Sequence, residues 1–212
     1  FALQCNLNNF SYKKILSDEA TLKDDIKNFF SNGGTGLTSG TSGQFLKFTG
    51  STTIASAGAG IDEIDQWRVT SSFDLDGTTD PVSANLERVD GTGQAKLGTG
   101  MSESSGIWTF PSTGFWIVEA GFTAYGRGPV AQARIMIYTT ANNSAYNQST
   151  VARQAMVQND YYGSGYCSTV VDVTDTANVK VKFVAASSAN TNFNGSTNNN
   201  WTYFTFKRMA DT

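Results

Sequence analysis

The chain has 212 residues, no His, 15 Lys and Arg against 18 Asp and Glu, and a charged fraction of only 16%. Without His it has no Ser-His-Asp or Cys-His catalytic machinery and no His-ligated metal or haem. Its net charge of −3 argues against a protein that binds nucleic acid by neutralising phosphates. The hydrophobic fraction of 39% is sufficient for a core, and the high content of Gly, Ser, Thr and Asn favours turns between β-strands.

Residues 1–30 contain the clearest helical pattern. Ser17 is a suitable N-cap, and the two acidic residues after it favour the positive end of a helix. Apolar residues then recur at helical spacing and form one stripe: Leu22, Ile26, Phe29 and Phe30. Because a helix of about three turns is marginal alone, we expect the stripe to pack on its own domain, on symmetry mates or on another protein. We interpret residues 1–30 as an anchor.

Residues 31–60 are rich in Gly, Ser and Thr, with the short run Gln44 to Phe48 inside them. This composition is typical of a flexible or extended linker, and the alternative is a long surface loop of one domain. Cys5 and Cys167 are far apart and lack metal-ligand spacing, so we expect free thiols rather than one long-range disulfide. No stretch reaches the length of a membrane span.

Residues 61–212 predict one all-β domain, because short apolar runs alternate with turn signals. The absence of a helical pattern between the runs favours antiparallel pairing, and a sandwich of about eight strands suggests a jelly roll. The candidate strands are residues 67–73, 106–110, 115–125, 131–140, 151–158, 165–173, 178–186 and 201–209.

The segment IWTFPSTGFWIV at residues 107–118 combines a strand, a tight turn from Pro to Gly and a strongly apolar strand. It resembles the signature of the C1q-like, tumour-necrosis-factor-like jelly roll. Three further segments resemble the family's opening strand, its strand–polar turn–strand near the end, and its closing strand: residues 65–70, 167–181 and 202–207. One departure is the turn that is usually Gly-Asp in the family, which is Asp175-Thr176 here.

A second resemblance concerns residues 43–50, GQFLKFTG. This segment is similar to the Gly-Gln-hydrophobic-Leu spacers of bacteriophage tail fibres and related virion proteins. The Asn-, Ser-, Thr- and Gly-rich character of the following domain is also similar to C1q-like domains encoded by marine bacteriophages. The two likenesses imply a virion protein.

The C1q-like resemblance implies a three-fold symmetric trimer, in which an aromatic face of each sandwich packs around the axis. We expect Trp116, Tyr203 and Phe115 to face that axis, and the alternative is that they only fill the core of the single chain. If the domain is a receptor-binding tip, Tyr161, Tyr162 and Tyr166 are the candidate contacts, since Tyr suits adaptable, sugar-compatible surfaces.

We expect no enzyme and no cofactor. Between residues 101 and 160 the acidic residues are Glu103, Glu119 and Asp160, and they suggest no catalytic pair. The acidic run from Asp74 to Asp80 offers oxygens to a hard cation but lacks the closing Glu of an EF-hand, so we interpret it as a polar strand-to-strand loop without a metal.

The sequence therefore predicts a homotrimeric structural protein on the surface of a bacteriophage virion. Its N-terminus anchors it to the capsid, as a decoration protein or head fibre, and a C1q-like head projects. The partners are other virion proteins and a host surface glycan or protein, without nucleic acid or a membrane span. One alternative is the receptor-binding tip of a tail fibre, which contacts host glycans, and another is a secreted C1q-like lectin or ligand.

Overall fold

The computed structural model describes residues 45–48, 54–57 and 60–212. The chain divides into two compact units, residues 1–59 and 60–212. In the first unit, β1 (Phe45–Phe48) and β2 (Ile54–Ala57) pair antiparallel, with Phe45 opposite Ala57. These strands lie inside the predicted linker.

The predicted anchor helix falls outside the described residues. The same holds for its apolar stripe, Leu22, Ile26, Phe29 and Phe30, and for Cys5. Their roles stay predictions.

The second unit is all-β, and no helix occurs between residues 60 and 212. All eight strands expected from the sequence are present, and three further strands, at residues 73–79, 86–88 and 102–104, are not predicted. The strands are β3 (Ile64–Val69), β4 (Phe73–Thr79), β5 (Leu86–Arg88), β6 (Ser102–Ser104), β7 (Ile107–Thr109), β8 (Gly114–Gly126), β9 (Val130–Thr140), β10 (Asn147–Met156), β11 (Tyr162–Val173), β12 (Lys180–Phe193) and β13 (Tyr203–Ala210). Within the described part of the chain, no helix is long and apolar enough to cross a membrane.

The strands form two antiparallel sheets that join at one end. The front sheet has the order β5–β3–β13–β8–β11, and the back sheet has the order β6–β7–β12–β9–β10. The strand β4 also belongs to the back sheet, where it pairs with β12 beyond β7. The last residues of β12 pair with the end of β8, Phe193 opposite Ala124, so the two sheets are halves of one curled structure. This is an antiparallel jelly roll, as the sequence predicted.

Aromatic side chains hold the inner faces of the two sheets together. Trp108 projects from the back sheet, and its ring centroid lies 4.8 Å from that of Trp67 and 5.2 Å from that of Phe206, both in the front sheet. Phe183 of β12 stacks on Phe204 of β13, with centroids 3.8 Å apart. Because these contacts join the sheets face to face, the core lies between them.

The prediction that Trp116 faces a trimer axis is wrong. Successive side chains of a strand point to opposite faces, and on β8 the inward set includes Trp116, which has no exposed surface. Its ring packs on Phe110, with centroids 5.2 Å apart, and its Nε1 donates a hydrogen bond to the Ser112 carbonyl. Its neighbour Phe115 points outward and is 39% exposed.

The interpretation of the acidic run from Asp74 to Asp80 as a loop is also wrong. Most of this run forms the strand β4, which pairs with β12. Asn192 donates to Asp74 Oδ1 over 2.7 Å, and Arg127 lies 3.0 Å from the same oxygen. The hydrogen bond from Asn192 lowers the pKa of Asp74. Among the described residues, no group of three or more Cys, Asp or Glu is placed to hold a metal ion.

Cys167 is a free, buried thiol on β11. Its Sγ donates to the Ile135 carbonyl at 3.7 Å. Burial raises the pKa of Cys167 to about 11, so the thiol stays protonated and weakly nucleophilic at neutral pH.

Replacing Trp108 with Ala tests the role of the aromatic core. We expect a loss of about 3–5 kcal/mol in the free energy of unfolding, because a fully buried ring is removed from between the sheets. Urea unfolding followed by circular dichroism measures the loss. The control Val157→Ala, at an exposed position, should change stability by no more than about 0.5 kcal/mol. A loss below about 1 kcal/mol for Trp108→Ala would contradict this account of the core.

Candidate functional site

The outward side of the front sheet carries a band of aromatic and apolar side chains that the single chain leaves accessible. We call this surface the front face. It includes Tyr166, 55% exposed, and beside it lies Trp201, 41% exposed. The outward residues of β8, β11 and β13 include Phe115, Ile117, Glu119, Tyr166, Val170, Tyr203 and Lys207, together with the polar Ser164, Ser168, Asp172 and Thr205. Contiguous exposed apolar surface of this kind marks interaction sites.

Tyr203 lies at the centre of the front face because Gly121 makes room for it. The two residues are direct partners on β13 and β8. A Cβ at position 121 would lie 2.5 Å from the Tyr203 ring, so any larger residue would displace the ring. Burial is the main cause that raises the pKa of Tyr203, and the nearby Glu119 adds to it. The phenol is therefore neutral at physiological pH.

Glu119 is the charged residue beside Tyr203 on the front face, and its charge is balanced. The Tyr166 hydroxyl donates to its Oε1 over 2.8 Å, and Lys207 Nζ lies 2.9 Å from its Oε2. The hydrogen bond to Glu119 is the main reason why the pKa of Tyr166 is raised. The front face can therefore be covered by a partner without leaving an unpaired charge at this point.

Two depressions flank Tyr203, which lines both of them. The first, about 390 Å³, lies towards Ile64 and Gln66. The second, about 310 Å³, is lined by Tyr166 and Trp201. Tyr203 thus stands between two depressions, which side chains of a partner can fill.

Ion pairs secure the β3–β5 edge of the front sheet. Arg68 is buried and donates to Glu87 and Asp90, with distances of 2.7 and 2.9 Å. Asp65 is also buried and accepts from Arg88 Nε at 2.8 Å and from the Met101 amide. Since breaking one partner of such a pair strands a buried charge, these contacts stabilise the edge next to the first depression.

Tyr161 and Tyr162 lie elsewhere, at one end of the sandwich. The chain enters the unit at the opposite end, where Ile64 pairs with Lys207 of the last strand. Tyr162 pairs with Tyr125, and their ring centroids are 5.4 Å apart. Tyr161 and Tyr162 are 51% and 67% exposed. We call this end the distal tip.

The structure therefore separates the residues proposed from the sequence. Tyr203, Phe115 and Tyr166 share the front face, Trp116 is in the core, and the two remaining tyrosines are at the distal tip. Sequence reasoning missed Glu119 and Lys207, which pair across β8 and β13, and Arg127, whose guanidinium lies 5.5 Å from the Tyr125 ring centroid.

Comparison with known proteins gives matches among solved structures. No protein-family model matches the chain, and no curated protein does. The structure of Eiger TNF from S. frugiperda matches with a TM-score of 0.56 and 8% identity, over 73% of this chain and 96% of that one. Murine APRIL at pH 5.0 matches with a TM-score of 0.53 and 11% identity, over 69% of this chain and 98% of that one.

At these low sequence identities, the structural matches show a shared fold and nothing further about the chain. No enzyme family is indicated by the matches. The described head of the chain has the tumour-necrosis-factor-like jelly-roll fold that the motif at residues 107–118 predicted.

Proposed function

We propose that the chain is the subunit of a homotrimer on the surface of a bacteriophage virion. In this proposal, residues 1–30 attach it to the capsid, as a decoration protein or head fibre, and the jelly roll projects as a structural head. The observation that carries the proposal is the front face, an accessible aromatic surface with a balanced charge at its centre.

The composition of the front face supports assembly through it. Tyr and Trp are the residues most enriched at the energetic centres of protein interfaces, and charged residues are depleted there. Tyr203, Tyr166 and Trp201 meet this description, and Glu119 is neutralised by Lys207. A projecting tyrosine with a depression on each side suits a head-to-tail contact. Such a contact closes into a ring of three when neighbouring subunits are related by a rotation of one third of a turn. The C1q-like resemblance favours three subunits.

The virion role rests on the segment before the head. Residues 43–50 are similar to spacers of phage fibres, and they contain β1, which forms an antiparallel pair with β2. The anchor and the head are separated by only about thirty residues of linker. With residues 1–30 as the anchor, this short spacing favours a decoration protein or short head fibre.

A second candidate function is a receptor-binding tip that contacts host glycans. It is favoured by the distal tip, where the exposed Tyr161 and Tyr162 lie at the end of the head opposite to where the chain enters. A secreted C1q-like lectin or ligand would share the fold and the trimer. It would not account for the resemblance of residues 43–50 to fibre spacers.

Truncation of the front-face aromatics tests the trimer. We expect the double variant Phe115→Ala/Tyr203→Ala to raise the dissociation constant of the trimer about 30-fold or more, since one aromatic hot spot contributes about 2 kcal/mol. Sedimentation velocity over a dilution series measures the constant. Val170→Asp, which places a charge on an exposed position of the same face, should weaken the trimer without removing intrachain packing.

The matched control is Tyr138→Ala, on the outward side of the back sheet, which should assemble like the unaltered chain. Assembly of the double variant and of Val170→Asp at unaltered strength would contradict the proposed interface, as would an equal defect in the control.

Removal of residues 1–30 tests the anchor. Because residues 60–212 form their own compact unit, the shortened protein should stay folded and trimeric but fail to bind capsids that lack the protein. Co-sedimentation with such capsids measures binding. Retained binding would contradict the anchor, and an unfolded head would show that the helix belongs to the domain core.

Alanine substitution at Tyr161 and Tyr162 separates structural decoration from receptor binding. If the head is structural, virions that carry both changes should adsorb to the host at the unaltered rate, because exposed side chains are lost without disturbing the core. The adsorption rate constant is the measurement. A tenfold or greater fall (about 1.4 kcal/mol in a binding equilibrium) would favour the receptor-binding tip instead.

A further inference from the structure

The outward side of the back sheet, which we call the back face, has a small apolar cluster of its own. Met136, Val184 and Ala186 are buried there, outside the main core, and Tyr138 packs against them. These residues come from β9 and β12, the central strands of the back sheet. The middle of the back face is therefore a buried apolar patch, which we call the apolar floor.

Two arginines lie directly opposite each other beside this floor. Arg134 of β9 and Arg153 of β10 are register partners, and Arg134 is also the partner of Ala186. The residues next to them, Ala133 and Ala152, point into the core, so both arginines point outward on the same face. Their Cβ atoms are about 4.5–5.5 Å apart, and like charges in this arrangement repel.

Neither arginine is neutralised within the described part of the chain. The other four, Arg68, Arg88, Arg127 and Arg208, each form an ion pair with a carboxylate. The side chains of Arg134 and Arg153 form no ion pair or hydrogen bond there. Arg134 Nε is moreover closed off from solvent without an acceptor. Asp80, which is close to this face, is held by Lys182 at 2.6 Å.

We propose that Arg134 and Arg153 form an oxyanion-binding site for the carboxylate or sulfate groups of an acidic polysaccharide. Two adjacent guanidinium groups offer the fork of donors that such groups prefer, and a bound anion removes the repulsion between them. The apolar floor strengthens the attraction by lowering the local dielectric.

The surroundings of the pair favour a sugar polymer over other anions. A nucleic acid needs many cationic contacts along its backbone, whereas Lys182 on this face is already paired with Asp80 and the chain has a net charge of −3. Tyr138 lies on the same face of β9, four residues from Arg134 and about 13 Å along the strand, and offers an aromatic surface to the next sugar units of a polymer bound at the pair. The front and back faces lie on opposite sides of the sandwich, so a partner that covers the front face of a subunit does not cover this pair.

Binding of defined polymers to the full chain tests the proposal. The probes are alginate for carboxylate, dextran sulfate for sulfate and unmodified dextran as the neutral reference, measured by isothermal titration at low salt. We expect one or both charged polymers to bind and dextran not to bind. The double variant R134Q/R153Q should lose about tenfold or more in affinity, as expected for loss of a charge-assisted bidentate contact.

The matched control is Lys96→Gln, which removes an exposed positive charge bonded only to the carbonyls of Gly98 and Thr99. It should bind the polymers like the unaltered chain. Equal affinity for R134Q/R153Q and the unaltered chain would overturn the proposal. An equal loss in Lys96→Gln, or equal binding of neutral dextran, would overturn it as well, since binding would then not depend on this pair of charges.

Thermal unfolding gives an independent readout. Without polymer, Arg153→Gln should raise the Tm, because it removes the repulsion between like charges. The bound polymer should raise the Tm of the unaltered chain and leave that of R134Q/R153Q unchanged. A lower Tm for Arg153→Gln, or an equal polymer-induced shift in both proteins, contradicts the site. The oligomeric state is measured in parallel, so a failure of the trimer is distinguishable from a failure of this site.

Discussion

Trp108 stands between the front and back sheets and packs on aromatic rings of both. The inward-pointing side chains of the long strands are mostly apolar, and the alternate side chains lie outside. The head consequently has two outer faces whose chemistry is free to differ.

The two outer faces differ in how their charges are arranged. On the front face Glu119 is neutralised by Lys207 and by a hydrogen bond from Tyr166, so covering it with a protein partner costs little. On the back face Arg134 and Arg153 are opposed and unneutralised within the described residues, which suits a charged ligand. In this account, assembly uses the balanced face and ligand binding uses the unbalanced one.

The strands of the fold were predictable, because apolar runs between Gly-, Pro- and Asn-containing turns carry the signal directly. The face of each strand was harder to assign. In the segment from Phe115 to Val118 all residues are apolar, so alternation does not tell which set faces the core, and Trp116 was assigned to the wrong side. Asp and Gly disfavour strands, so the sequence of β4 predicts a loop, and its pairing with β12 overrides that preference.

The candidate sites depend on register, which local sequence does not determine. Gly121 carries no sign in the sequence that Tyr203 lies on it, and Arg134 and Arg153 are separated by a whole turn and most of two strands. Their proximity arises only when β9 pairs with β10 and β8 with β13. The aromatic residues of the front face were partly anticipated because Tyr203 and Phe115 stand beside recognisable motifs.

The central claim is that the front face is buried between subunits in the assembled protein. Hydroxyl-radical footprinting of the full chain at micromolar concentration tests this claim most directly. Tyr166 and Trp201 are exposed in the single chain to an extent similar to Tyr161 and Tyr162 at the distal tip. The account predicts that Tyr166 and Trp201 are strongly protected from oxidation while Tyr161 and Tyr162 react freely. Equal reaction of all four side chains would contradict it.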